Sequence, residues 1–204
     1  MEYVIGVDEA GRGALAGPVA VGAVLLPAHL LWEDFDGLKD SKKLRAQQRE
    51  EWFGKISARS PLAGLGDVSA SVSLVSARTI DRDGIVAACR LATRRCLTKI
   101  VADTANIPIW ELSSQMGVLL DKGLSAPSEW QQEQIVKGDE TVPAIALASI
   151  VAKVTRDRHM EHLAEKYKPY GFEGHKGYGT HEHRKAIKKH GLSEEHRTTF
   201  CTRL

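Results

Sequence analysis

The sequence predicts an α/β protein: a mixed β-sheet flanked by helices, with a small helical carboxyl-terminal subdomain. Three observations point there. Short, valine-rich apolar runs recur through the first two thirds of the chain, and compact apolar runs bounded by Gly, Pro or Asp read as strands. Longer stretches with apolar residues at helical spacing alternate with those runs, the order expected when helices cover the faces of a sheet. The last quarter lacks such strand patterns and is polar, basic and helical in spacing.

Taken in order, Tyr3 to Val7 is a β-prone run that stops at Asp8-Glu9 and breaks at Gly11-Arg12-Gly13. Pro18 to Leu26 (PVAVGAVLL) is a second strand, closed by Pro27. The polar stretch at 39–43 leads into a helix over 45–58, and residues 66–75 alternate with the two-residue period of a half-exposed strand. A long helix over about 84–100 places Ile85, Ala88, Cys89, Ala92 and Cys96 on one side. Residues 103–115 are irregular and carry Pro108. Met116 to Leu120 (MGVLL) is an apolar strand ending at Asp121, and after a loop over 122–133, Gln134 to Val136 leads to Lys137-Gly138-Asp139 as another strand end. Thr141 and Pro143 suit the start of a helix that is apolar through Ile150 and Ala152 and extends to Lys168. A glycine-rich turn at 171–179 precedes a basic helix from Thr180 to His190. The expected division is a core over 1–157 and a basic helical segment over 158–204 of the same unit.

At 204 residues the chain fits one domain with a sizeable core, and 43% hydrophobic with 26% charged residues excludes a disordered polymer. No apolar stretch approaches the roughly 18 residues of a membrane span, and Met1-Glu2-Tyr3 opens no signal peptide. The three cysteines form neither a paired framework nor a CxxC site. A reduced, cytoplasmic protein is expected, with a monomer as the default. Net charge is only +2, yet residues 153–204 hold 12 Lys or Arg against 7 Asp or Glu, with seven of the eight histidines. A basic lobe beside an acidic remainder suits a polyanion brought to a carboxylate-built metal site.

The acids recur in one context. VIGV runs into Asp8-Glu9, GVLL into Asp121, and QIVKG into Asp139. Strand ends on one edge of an α/β sheet form its natural crevice. Carboxylates gathered there raise one another's pKa unless cations neutralise them, and two Mg²⁺ or Mn²⁺ ions would do so while activating a water against a phosphodiester. The plainer alternative is that each acid only terminates a strand. Geometry raises an objection too: neighbouring residues of a regular strand point to opposite faces, so Asp8 and Glu9 converge only if the strand ends or bulges at Glu9.

Gly11-Arg12-Gly13 follows the acidic pair directly. Its glycines allow close backbone approach to a ligand, and Arg12 can fork onto a phosphate. In His175-Lys176-Gly177-Tyr178-Gly179-Thr180, Tyr178 could stack on a sugar or base while Lys176 meets the backbone. A turn whose tyrosine packs on the core is the equal alternative.

Together these residues resemble a known family. DEAGRG with LAGP (8–13 and 15–18), Asp40-Ser41-Lys42-Lys43-Leu44, KGD at 137–139, ALASIVAKVTRDRHM at 146–160, and YGF with HKGYGT at 170–180 are similar to the ribonuclease HII family, in its order and across nearly the whole chain. The resemblance implies a ribonuclease H-like mixed sheet with a helical carboxyl-terminal subdomain. It implies Mg²⁺- or Mn²⁺-dependent endonucleolytic hydrolysis of RNA–DNA hybrids and incision 5′ to single ribonucleotides in duplex DNA, leaving 3′-hydroxyl and 5′-phosphate ends. Carried over by motif, Asp8, Glu9, Asp121 and Asp139 are the metal-binding catalytic acids. Gly11, Arg12 and Gly13 read the ribonucleotide 2′-hydroxyl and phosphate, Tyr178 stacks beneath the sugar, and Lys42 and Lys176 meet the substrate.

Asp121 is followed by Lys122-Gly123 where the family has Gly directly, and Asp103 (KIVADTAN) is a rival third acid. Asp121 is favoured because MGVLL is the more continuous buried strand. A ribonuclease HIII would share the acids but usually adds an amino-terminal domain, whereas this chain enters its first strand at Tyr3. A catalytically silent binding module of the same fold would have kept all four acids without their geometry.

Overall fold

The computed structural model describes residues 2–57, 68–103 and 116–202. Five strands form one mixed sheet. They are β1 (Tyr3–Ala10), β2 (Val19–Pro27), β3 (Ser69–Val75), β4 (Met116–Asp121) and β5 (Gln132–Ile135), in the spatial order β3-β2-β1-β4-β5. The β1–β2 and β2–β3 pairs are antiparallel, while β1–β4 and β4–β5 are parallel.

The central strands are buried on both faces, which is why β2 reads as an unbroken apolar run rather than an alternating one. On one face lies α3 (Ile85–Asp103), preceded by the two-turn α2 (Ala77–Asp83). Its Ala88, Cys89, Ala92 and Cys96 pack against Ile5, Val7, Val21, Val118 and Leu120. The expected cysteine pair is thus a pair of core thiols, with burial pushing Cys89 to about 11 and Cys96 to about 12.

The other face is covered by α5 (Pro143–Lys166), with α1 (Ala46–Ser57) against its outer side. Residues 144–152 of α5 are buried all round because the helix is sandwiched between the sheet and α1. The approach is close: a Cβ at Gly6 would stand 2.1 Å from the Ala144 carbonyl carbon, and one at Gly22 would stand 2.3 Å from the Ala148 oxygen. Two strand glycines against a ladder of helix alanines set the depth of the helix, and with it the height of everything it carries.

Beyond Ala152 the same helix runs without interruption through residues 157 and 158 and buries Met160, Leu163 and Ala164 against Tyr170 and Phe172. The turn at 171–179 contains one helical turn, α6 (Phe172–His175), and the basic helix is α7 (His181–His190), capped by the Thr180 hydroxyl accepting the His183 amide. The predicted helix over 45–58 and strand over 66–75 appear as α1 and β3, apart from residue 58 and residues 66–67, which lie outside the described residues, as do 104–115 of the predicted irregular stretch. No helix among the described residues is long and apolar enough to cross a membrane.

Candidate active site

One carboxylate group forms at an edge of the sheet. Asp8, Glu9 and Asp121 each offer an oxygen, and the three oxygens lie within 4.8 Å of one another. The break expected at Glu9 is absent: β1 stays regular through Ala10, with Asp8 opposite Gly22 and Glu9 opposite Val21. Asp8 therefore shares the α5 face with Gly6, and Glu9 shares the α3 face with Val7. They converge because the parallel ladder to β4 ends at Val7 and Leu120. Beyond that pair β1 has no paired strand on this side among the described residues, and both carboxylates can turn round the open edge toward Asp121.

The backbone holds this arrangement. The Glu9 amide donates to Asp8 Oδ1 at 2.7 Å, and the Gly138 amide donates to Asp121 Oδ1 at 3.1 Å. Gly138 is aimed by Lys137, which adopts left-handed backbone (φ 56°) as N-cap of the one-turn helix α4 (Gly138–Thr141). Arg12 Nη1 spans Glu9 Oε1 (3.4 Å) and the Gly123 carbonyl (3.2 Å).

Burial pushes the Asp8 carboxyl up to about 7, against a hydrogen bond from Ser149 and with the charges of Glu9 and Asp121 adding to the rise. Glu9 is raised by burial against the opposing pull of Arg12. Glu9 Oε2 is buried and has no hydrogen-bond partner among the described residues. An all-oxygen donor set with an orphaned carboxylate oxygen and a carboxyl whose charge is poorly tolerated fits a hard divalent cation.

The fourth acid sits apart from the three. Asp139 lies in α4 rather than at the end of β5, because the strand stops at Ile135 and the chain turns at Lys137. Its Oδ2 accepts from Lys42 Nζ at 3.1 Å. Partial desolvation works against the Lys42 charge, but Asp139, Asp40 and Asp8 together raise its pKa. Asp139 thus reaches the group through a lysine that feels both sides. Asp103 closes α3 and is not one of the clustered acids. Lys176 turns away to Glu161 Oε1 at 2.9 Å.

The two glycine-rich loops meet beside the acids. Gly11, with φ +84°, donates its amide to the Tyr178 hydroxyl at 3.2 Å. Leu15 and Ala16 donate to the Gly177 carbonyl at 2.9 and 3.2 Å. The Tyr178 side remains partly exposed at 38%, so it is not the core tyrosine of the plainer reading. Gly13 has open space where a Cβ would go, whereas a Cβ at Gly11 would collide with the Arg156 guanidinium.

Beneath the loops lie two arginines that sequence reasoning missed. Arg156 and Arg197 are fully buried. Arg156 donates to the carbonyls of Pro18 and Ala16, and Arg197 to those of Gly17 and Arg12. Burial lowers the pKa of both, with Arg197 falling to about 10 as Arg156 adds to its burden. Ser149, 2.8 Å from Ser41 Oγ, was missed as well. The available signal was a lone polar residue in the otherwise apolar run ALASIVA.

A five-stranded mixed sheet with helices on both faces and acids at its open edge defines a ribonuclease H-type hydrolase. A family model described as Ribonuclease HII matches residues 5–204. A ribonuclease HII of Bacillus thuringiensis (strain Al Hakam) is 42% identical over 203 residues, covering 98% of this chain and 70% of that protein. Among solved structures, the PCNA:RNase HII complex from Archaeoglobus fulgidus gives a TM-score of 0.66 at 25% identity, over 96% of this chain and 93% of that one. The ribonuclease H2 from Pyrococcus horikoshii OT3 gives 0.63 at 25% identity, over 97% and 93%. The chain belongs to the ribonuclease HII family, and it is an endoribonuclease of RNA–DNA hybrids.

Proposed function

We propose that this chain also incises duplex DNA on the 5′ side of a single embedded ribonucleotide, leaving 3′-hydroxyl and 5′-phosphate ends. The observation that carries the reading is the junction of three elements at one edge: the Asp8–Glu9–Asp121 carboxylates, the Gly11–Gly13 loop, and Tyr178 bonded to that loop. Asp8, Glu9 and Asp121, joined by Asp139, would hold two Mg²⁺ or Mn²⁺ ions. Bound there, the ions would supply Lewis acidity and a nucleophilic water at neutral pH. The chain's own residues bind and orient. The Gly11–Gly13 amides and Arg12 address the phosphate and the 2′-hydroxyl that separates RNA from DNA. Tyr178 offers its partly exposed ring to the sugar at the junction. Lys42, largely exposed beside Asp139, meets the backbone of the duplex.

The roles are separable by substitution. Asp8→Asn and Asp121→Asn each abolish cleavage of a ribonucleotide-bearing duplex while binding of that duplex stays measurable, because the variants remove metal and not the nucleic-acid surface. Asp103→Asn retains cleavage. Near wild-type cutting by Asp8→Asn, or loss in Asp103→Asn with retention in Asp121→Asn, contradicts the assignment.

A further inference from the structure

Three histidines pack together behind the tyrosine loop, His183 and His196 joined by a hydrogen bond and His175 stacked on His183, and their protons can be placed by elimination. His196 Nδ1 lies 2.9 Å from the Ser193 amide, which can only donate. His196 therefore carries its proton on Nε2, and that atom is 3.1 Å from His183 Nε2. His183 must accept there, so its proton sits on Nδ1, which is 2.9 Å from the Tyr178 carbonyl. His175 Nδ1 accepts the Gly177 amide at 3.2 Å, which leaves its Nε2 to donate to the Tyr170 carbonyl at 2.8 Å. The His175 and His183 rings stack, with centroids 4.3 Å apart and planes 15° from parallel. Each ring holds one proton and each proton has one acceptor.

We propose that His183 and His196 are positioning residues that set Tyr178, and through it the ability to cut at a single ribonucleotide. The inference rests on the reading that Tyr178 meets the substrate. The loop needs such a hold. Lys176 (φ 51°) and Gly177 (φ 82°) both sit in left-handed backbone immediately before the tyrosine, a conformation costly for lysine. The Tyr178 carbonyl receives the His183 proton from one side and the Thr180 amide, at 2.8 Å, from the other. With the carbonyl fixed, the ring stands over the Arg156 guanidinium at 5.3 Å and its hydroxyl meets Gly11. His183 and His196 are themselves buried and never face the substrate side. A single ribonucleotide presents one sugar to be read, whereas a long hybrid offers a ribose in every register. Loss of Tyr178 positioning therefore falls on the first substrate more than on the second.

Two variants separate the relay from the fold. His196→Phe keeps a ring among Tyr170 and Phe172, which already surround it, but removes the donor. His196→Gln restores an N–H at the far end of the side chain. In ¹⁵N NMR of histidine-labelled protein at neutral pH, His183 is expected as the Nδ1–H tautomer, with His175 and His196 as Nε2–H. His196→Phe strips His183 Nε2 of its buried donor, and should shift the His183 Nε2 resonance and lower kcat/KM on a single-ribonucleotide duplex by about tenfold, with a change of less than about threefold on a long hybrid. His196→Gln should recover most of that loss. Equal losses on both substrates, or His183 found as Nε2–H in the wild-type protein, overturn the relay. If His196→Phe leaves the substrate ratio unchanged while Tyr178→Ala shifts it, the relay alone is refuted. If Tyr178→Ala also leaves the ratio unchanged, the substrate-facing role of the tyrosine falls and takes this inference with it.

Discussion

The amide of Gly11 donates to the hydroxyl of Tyr178 at 3.2 Å, a bond across 167 residues of sequence. It joins two loops that are separate glycine-rich motifs in the chain, and it does so directly beside Asp8 and Glu9.

That bond separates two roles of Tyr178. Tyr178→Phe keeps the ring and removes the acceptor of the Gly11 amide, which costs single-ribonucleotide cleavage a few-fold, about the worth of one neutral hydrogen bond. Tyr178→Ala removes the ring as well and is expected to cost about tenfold or more on the same substrate, sparing a long hybrid. Steady-state kinetics on the two substrates checks the order. Equal losses from Phe and Ala would place the whole effect in the hydroxyl.

Gly11 and Gly13 differ although the motif makes them look alike. A Cβ at position 11 would stand 1.9 Å from Arg156 Nε, on backbone with φ +84°, while position 13 is open. Arg156 is fully buried and already bonded to two carbonyls, so it cannot swing aside. Gly11→Ala is expected to cost about 2–4 kcal/mol, and Gly13→Ala less than about 1 kcal/mol. Denaturant unfolding of both variants measures this, and comparable costs would contradict the packing argument.

The acidic group should destabilise the metal-free fold at neutral pH. Burial raises Asp8 from 3.8 to about 7, so between those values the folded protein holds a proton that the unfolded chain has released. Stability from this carboxyl is fully present below about 4 and is lost as pH rises to about 7. In chelator, Asp8→Asn should therefore be more stable than wild type at pH 8, by on the order of a few kcal/mol, and the gain should vanish toward pH 4. A divalent cation should raise the melting temperature of the wild type but not that of the variant. A gain independent of pH would show that burial of charge is not the cause.

Much of this was legible in the chain, and the failures have physical causes. MGVLL declared β4 because a strand covered on both faces must be apolar throughout, and that placed Asp121 rather than Asp103 at the edge. The convergence of Asp8 and Glu9 was not legible, since it depends on where a neighbour 113 residues away stops pairing. Register is set by tertiary packing and leaves no local mark. Asp139 was misplaced for a related reason: the turn into α4 is made by a left-handed Lys137, a conformation the residue type does not announce. The basic carboxyl-terminal quarter overstated its surface charge. Arg156 and Arg197 are spent inside, holding carbonyls of residues 12–18, and Lys176 is tied to Glu161. Composition counts these charges toward a basic lobe, whereas the fold uses the two arginines to hold the loop at residues 12–18.

We propose that this edge cuts at a single ribonucleotide with metal held by the carboxylates. The most direct measurement is incision of an end-labelled DNA duplex carrying one ribonucleotide, with Mg²⁺, with Mn²⁺ and with chelator. A metal-dependent cut on the 5′ side of that ribonucleotide is expected, and none in chelator. Cleavage of a long RNA–DNA hybrid with no cut at the single ribonucleotide would contradict it, and so would a cut that survives the chelator.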